Sequence, residues 1–337
     1  MRFDAFGTGG PATAAKEART AEAIGFDAFW AGEVGHDPLL SAGAAIGVTD
    51  ELLVGTGVLI AFARTPMTTA QAAWDLAASS NGRFILGLGT QVKAHVTRRY
   101  GMPWSDPAAR MRDFIAATRA ILHSYQSGDR LDYAGPYYQH SLLTPFFNPG
   151  PIDHPNVEIA LAAVGEHMTE LAGEVCDGLF LHPFTNVAYM DKVTLPSLER
   201  GATRADRTGR PWILGYALCV VGDTEEEQEH SASRVRQQIA FYASTPTYRD
   251  VLDAVGHGDL QGELHALVSQ GAWHRLADVI TDDVLNHFAA RGTLEELPDQ
   301  IRHRFLGRCH RVAAYFPLPT DDPDRLRSFL EATRAEG

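Results

Sequence analysis

From Leu52 to Ile60 the chain is apolar at nearly every position, Leu52-Leu53-Val54-Gly55-Thr56-Gly57-Val58-Leu59-Ile60, with no alternation of polar and apolar residues. A strand hydrophobic on both faces belongs in a parallel sheet covered by helices. After Arg64-Thr65-Pro66 the period changes: Ala70, Ala73, Trp74 and Ala77 recur at helical spacing from Met67 to about Ser80. Thr65 can cap that helix, Pro66 suits its first turn, and Asn81-Gly82 supplies a left-handed stop. A second apolar run, Phe84 to Gly89, follows. The pattern predicts one right-handed strand-helix-strand unit.

The same alternation extends in both directions. Strands are expected near residues 2–6, 27–31, 53–60, 84–89, 157–163, 178–181, 212–221 and 311–316. Helices are expected at 12–24, 39–48, 67–80, 108–125, 166–176, after Thr224 and from Pro323. Residues 127–155 change to turns and short extended pieces, an excursion after the fourth helix. Residues 240–306 read as mostly helical, with Trp273 and Phe288 as core anchors. Eight strands alternating with helices predict one α/β domain over 1–337, a (β/α)8 TIM barrel with an enlarged seventh connection. An open doubly wound sheet is the alternative, since alternation alone does not force closure.

Charge narrows the partners. With 42 acidic against 29 basic residues and a formal net charge of −13, the chain is a poor match for nucleic acid and reads as a cytoplasmic protein acting on a small molecule. No stretch is long and apolar enough to span a membrane. Cys176, Cys219 and Cys309 lie among apolar residues and read as buried free thiols, neither a disulfide frame nor a zinc site.

Two glycine pairs invite chemistry. Gly87-Leu88-Gly89 suggests a dinucleotide turn, but Val92 stands where the third glycine belongs and no helix starts there, so the fingerprint fails its context. Gly55 and Gly57 sit inside an aliphatic strand, where glycine marks a bulge, close packing or the approach of a flat ligand.

Taken in order, Gly55-Thr56-Gly57-Val58, Arg64-x-Pro66, Asn81-Gly82-Arg83-Phe84-x-Leu86-Gly87-x-Gly89, Pro107-x-x-Arg110-Met111, Gly135-x-Tyr137-Tyr138 and Leu171-Ala172-Gly173-x-x-x-Asp177-Gly178 resemble the bacterial luciferase-like family of flavin- and deazaflavin-dependent oxidoreductases. The resemblance spans nearly the whole chain and is strongest to the branch that uses coenzyme F420. It implies a TIM barrel, a homodimer, and a ring bound at the C-terminal mouth against a cis peptide at Gly57–Val58. It places the cofactor phosphate at Gly165, Glu166, His167, Met168 and Thr169, where a helix start suits an anion.

F420-using relatives that act on sugars or alcohols carry an Asp-His pair after the second strand; here that place reads Glu33-Val34, with His36-Asp37 beyond. Glu33 and His36 are therefore the acid-base candidates. Gly89, Thr90 and Gln91 adjoin the ring's polar edge. Lys93, His95, Arg98 and Arg99 form a basic cluster suited to the F420 tail or an anionic substrate, and His182 stands at the same mouth. The expected cofactor is F420, with FMN as the alternative. A monooxygenase using FMN and a non-catalytic cofactor-binding barrel are the competing functions.

Overall fold

The computed structural model describes residues 1–337 apart from 319, 321, 336 and 337. In chain order its strands are β1 (Arg2–Gly7), β2 (Ala28–Ala31), β3 (Leu53–Thr56), β4 (Leu59–Ile60), β5 (Phe84–Gly89), β6 (Tyr133–Ala134), β7 (Gln139–His140), β8 (Glu158–Ala163), β9 (Gly178–Leu181), β10 (Trp212–Val221), β11 (Ala289–Gly292) and β12 (Arg311–Ala314). Parallel pairing runs β1–β2–β3–β5–β8–β9–β10–β12 and returns to β1, which closes the barrel. Between the strands run α1 (Pro11–Ile24), α2 (Pro38–Ile46), α3 (Pro66–Ser79), α4 (Pro107–Ser127), α5 (Glu166–Val175), α6 (Val187–Tyr189) and α7 (Leu195–Arg204). The enlarged seventh connection holds α8 (Glu225–Ala243), α9 (Arg249–Asp253), α10 (Leu260–Ser269) and α11 (Asp282–Phe288), and α12 (Leu297–Phe305) and α13 (Pro323–Arg334) complete the set. The open-sheet alternative is excluded by the closed ladder.

The local chemistry explains these elements. Thr65 and Thr224 form capping boxes with Thr68 and Glu227 at the starts of α3 and α8, each satisfying two amides that the helix itself leaves unpaired. Ala14, Ala18, Ala21 and Ile24 of α1 and Ala70, Ala73, Trp74 and Ala77 of α3 are buried against the sheet. The inside of the barrel is filled by Trp30, Phe180 and Trp212, with Trp30 and Trp212 stacked at 6.1 Å between centroids. Below them Arg311 makes two hydrogen bonds to buried Asp4, at 2.7 and 2.8 Å, and the Trp30 indole donates to the same carboxylate. The ends of β1 and β12 are thus tied by a pair that leaves neither charge alone.

Three expectations change. The strand expected over 53–60 is divided: Val54 and Gly55 face Phe84 and Ile85, whereas Leu59 and Ile60 face Leu88 and Gly89. One extra residue therefore bulges out between β3 and β4. The region 240–306 contains β11, which pairs with Leu218–Val221 of β10; its four residues, Ala-Ala-Arg-Gly, are too few and too weakly apolar to read as a strand. Trp273 is 46% exposed, on the rim of the helical connection against Phe241, while Phe288 is buried and stacks on Phe184 at 4.6 Å. The excursion after α4 carries the antiparallel β6–β7 hairpin, held by Asp113, which accepts from the amides of Tyr137 and Tyr138 and the hydroxyl of Tyr133.

Candidate active site

The bulge between β3 and β4 lies at the C-terminal ends of the strands, where barrel chemistry is carried. The Gly57–Val58 peptide there is cis, as the resemblance implied. The ladder interrupted by the extra residue is repaired by Thr56, whose hydroxyl donates to the Gly87 carbonyl at 2.7 Å and accepts from the Gly87 amide at 2.9 Å. The glycines have packing reasons. A Cβ on Gly55 would stand 2.4 Å from the Trp30 ring, and one on Gly87 would stand 2.0 Å from the Thr56 carbonyl. At Gly89 the space is taken by Val58, whose Cγ2 lies 2.6 Å from where a Cβ would be. The two glycine-bearing strand ends interlock, and Val58 is left partly exposed to the mouth.

Glu33 holds this bulge from the side. Its carboxylate accepts from the Ile60 amide (2.7 Å), from Arg64 (2.9 and 3.0 Å) and from the Tyr100 hydroxyl (3.0 Å). The Glu33 and Arg64 side chains are only 6% and 16% exposed. Arg64 also reaches Asp37 at 2.9 Å, and Asp37 caps α2 through the Leu39 amide. Burial, and then the neighbouring Glu33 charge, raise the Tyr100 pKa, which keeps that hydroxyl protonated as a donor. Glu33 is thus fully engaged as an acceptor. His36 is exposed over Gly10 in the loop after β1, so the two candidates share a loop but not an environment.

Opposite the bulge stands an aromatic wall that the sequence did not single out. Tyr216 of β10 packs edge-on to Phe6 and Tyr315, and the Tyr242 and Tyr315 hydroxyls are 2.6 Å apart. Tyr216 closes the gap to the bulge: its hydroxyl is 3.4 Å from where a Cβ on Gly57 would lie. His182, just after β9, packs against Tyr242 and Tyr248 at 4.5 and 4.8 Å. Its Nδ1 accepts from the Phe184 amide at 3.1 Å, which assigns the proton of the neutral ring to Nε2. Desolvation lowers the His182 pKa to about 4, so the ring is neutral at ordinary pH. Tyrosines spread over three distant chain segments leave no local motif, which is why only His182 of this wall was legible.

The remaining candidates lie after β8 and β5. Helix α5 starts at Gly165 in extended backbone with no side-chain cap. The Thr169 amide donates back to the Gly165 carbonyl, whereas the amides of Glu166, His167 and Met168 precede the first internal bond and are open to an anion. Glu166 and His167 are exposed, and Thr169 is buried with its hydroxyl on the Gly165 carbonyl. After β5, Gln91 adopts a left-handed φ of 59° and accepts from the Val92 amide. Lys93, His95 and Arg98 are exposed along a short turn of helix, while Arg99 is spent on the Val34 carbonyl. That contact joins the loops after β2 and β5.

A profile of the luciferase-like monooxygenase family matches residues 3–307. An uncharacterized protein of Mycobacterium tuberculosis is 42% identical over 306 residues, 90% of each chain. An F420-dependent glucose-6-phosphate dehydrogenase of Beutenbergia cavernae is 33% identical over 227 residues, 64% of this chain and 65% of that one. Among solved structures, the coenzyme F420 dependent tetrahydromethanopterin reductase of Methanopyrus kandleri superposes with a TM-score of 0.78 at 19% identity, over 98% and 96% of the two chains. With a closed parallel barrel, a bulged third strand and a profile match over most of its length, the chain belongs to the luciferase-like monooxygenase family, whose members are F420-dependent oxidoreductases and flavin monooxygenases.

Proposed function

We propose that this protein is an F420-dependent oxidoreductase that moves a hydride between the deazaflavin and a small organic substrate at the barrel mouth. The observation that carries the reading is the pairing of a bulge braced by Glu33 with an uncapped helix start at Gly165, on the same end of the barrel. The donor set fits the group: backbone amides without a capping side chain suit a phosphate, and glycines with Val58 offer a flat apolar support for a ring. When bound, the deazaflavin supplies the hydride-carrying centre; the chain supplies position and a dry environment.

In this reading Gly57 and Val58 support the ring and Gly89, Thr90 and Gln91 border its polar edge. His182, neutral and with Nε2–H directed away from the Phe184 amide, donates a hydrogen bond to the substrate. The Tyr242–Tyr315 hydroxyl pair offers a second polar contact, and Phe6 and Tyr216 exclude water. Glu33 acts as a positioning residue. His36 stays the candidate for proton exchange with solvent because it alone of the pair is exposed.

FMN ends at its phosphate, whereas F420 continues into a glutamate tail. A protein of net charge −13 repels such a tail unless local cations offset the field. Lys93 and Arg98 are exposed and form no ion pair with a described carboxylate, which favours F420 over FMN. Fluorescence titration of the purified protein with each cofactor tests this. F420 affinity is expected to fall as salt rises, because exposed charge pairs are screened. Saturable FMN binding with no response to F420 overturns the proposal; F420 binding indifferent to salt removes Lys93 and Arg98 from the tail site.

A further inference from the structure

We infer that His257, Asp283 and His287 form a site for a divalent transition-metal ion, Zn2+ in the first place, on the outer side of the helical seventh connection. One ligand atom from each residue lies within 4.8 Å of the others. Asp283 and His287 are one turn apart on α11 and so share a face. Val284, Leu285 and Phe288, on the opposite face, are buried and fix how the helix is turned. His257 comes from the loop between α9 and α10, and its Nε2 is 3.1 Å from an Asp283 oxygen. The two imidazoles stand 5.7 Å apart between centroids.

Both histidine positions are held by bonds other than the cluster's own. The His257 amide donates to the Leu252 carbonyl, and its carbonyl accepts from the Leu260 amide. The His287 carbonyl accepts from Arg304 at 3.0 Å. An ion pair needs one imidazole; here a second one faces the same carboxylate, and that arrangement has a use as a chelate. Donor atoms around a tetrahedral Zn2+ with bonds of about 2.1 Å lie about 3.4 Å apart, so small side-chain rotations bring the set to coordinating distance. Two imidazoles and one carboxylate select Zn2+, Co2+ or Ni2+ over Mg2+ and Ca2+, which take oxygen ligands. The fourth position opens to solvent and takes water.

The site also has a structural consequence. The ion would clip the 254–259 loop to α11, whose last residue, Phe288, stacks on Phe184. Phe184 in turn packs against Tyr242 and Tyr248 of the mouth wall. Metal binding would brace the wall from behind without touching the redox site.

The full chain, free of any affinity tag and stripped with a chelator, is titrated with Zn2+ by calorimetry. One ion per chain is expected, with affinity at least tenfold weaker in His257→Ala and in His287→Ala, and Zn2+ should raise the melting temperature of the parent but not of these variants. A Co2+ complex of the parent should show the visible bands of a four- or five-coordinate nitrogen-oxygen site, absent in the variants. If an Ala variant fails to fold, the same comparison is made with His257→Gln and His287→Gln. Absence of stoichiometric binding in the parent, or equal binding by the double variant, overturns the inference.

Discussion

Glu33→Gln separates a positioning residue from an acid. The substitution keeps shape and leaves an amide oxygen to accept from Ile60, but it turns an NH2 group toward Arg64, donor against donor. Breaking one side of a buried ion pair costs about 3–5 kcal/mol. Arg64 retains Asp37 at 2.9 Å and the Ile60 carbonyl at 3.2 Å, so the lower end applies, about 3 kcal/mol. At about 2.1 cal/mol/K of unfolding entropy per residue, a chain of 337 residues has about 0.7 kcal/mol/K, so the melting temperature should fall by about 4 °C. Arg64→Met should cost a similar amount, and the double variant less than the sum, with a coupling of about 1.5 kcal/mol or more in a urea-unfolding cycle. Cofactor affinity should fall together with stability, since the Ile60 amide follows the bulge. The pH profile of kcat/KM should keep its shape in Glu33→Gln. Loss of one limb of that profile with unchanged melting would refute the positioning role and return Glu33 to the acid-base machinery.

Two other expectations rest on single contacts. Gly55→Ala drives a Cβ to 2.4 Å from the Trp30 ring and 2.6 Å from the Ile85 carbonyl. The backbone side of that clash cannot yield, so chemical unfolding should show a loss of about 1–3 kcal/mol; an unchanged midpoint would mean that Trp30 is free to move. His182 has its folded pKa lowered from the ordinary 6.5 to about 4. The unfolded chain then takes up the proton first. Stability is full above pH 6.5, falls as pH drops toward 4, and is flat for this group below that, a loss of up to about 3 kcal/mol. His182→Asn, whose oxygen can still accept from the Phe184 amide, should flatten that span relative to the parent; superimposable stability curves from pH 4 to 7 would show that His182 is already well solvated.

The barrel was legible because its strands are buried on both faces, and continuous apolar runs between capped helices are a strong signal. The bulge was half legible. Gly55 and Gly57 announced a departure from regular strand, but their meaning depends on Trp30, a residue of another strand that fills the space a side chain would occupy. Sequence left close packing and ligand approach open at these glycines, and the structure gives packing a role at both. A Cβ on Gly57 would stand 2.9 Å from Trp30 Cβ, while the adjoining Val58 stays partly exposed at the mouth. Glu33 was found by its place after the second strand, yet its partners Ile60, Arg64 and Tyr100 lie 27, 31 and 67 residues away, beyond the reach of any local pattern. The tyrosine wall and β11 failed for related reasons, one dispersed over distant segments and the other too short to show a period.

These cases share a cause: periodicity reports which face of an element is buried, but not which distant side chain it meets. In this fold the chemistry is set by those meetings. Thr56 replaces ladder bonds that the extra residue removes, Glu33 fixes the amide beyond it, and Val58 takes the volume that Gly89 leaves. Removing the Thr56 hydroxyl leaves the buried Gly87 amide without the bond it now makes, at a cost of about 1–3 kcal/mol, whereas most exposed loop substitutions at the mouth should cost little. Thr56→Val, nearly isosteric and without the hydroxyl's bonds, should therefore weaken cofactor binding and stability together, while Thr56→Ser preserves both. Equal behaviour of the two variants in thermal melts and cofactor titration would show that the ladder, not the hydroxyl, holds the bulge in place.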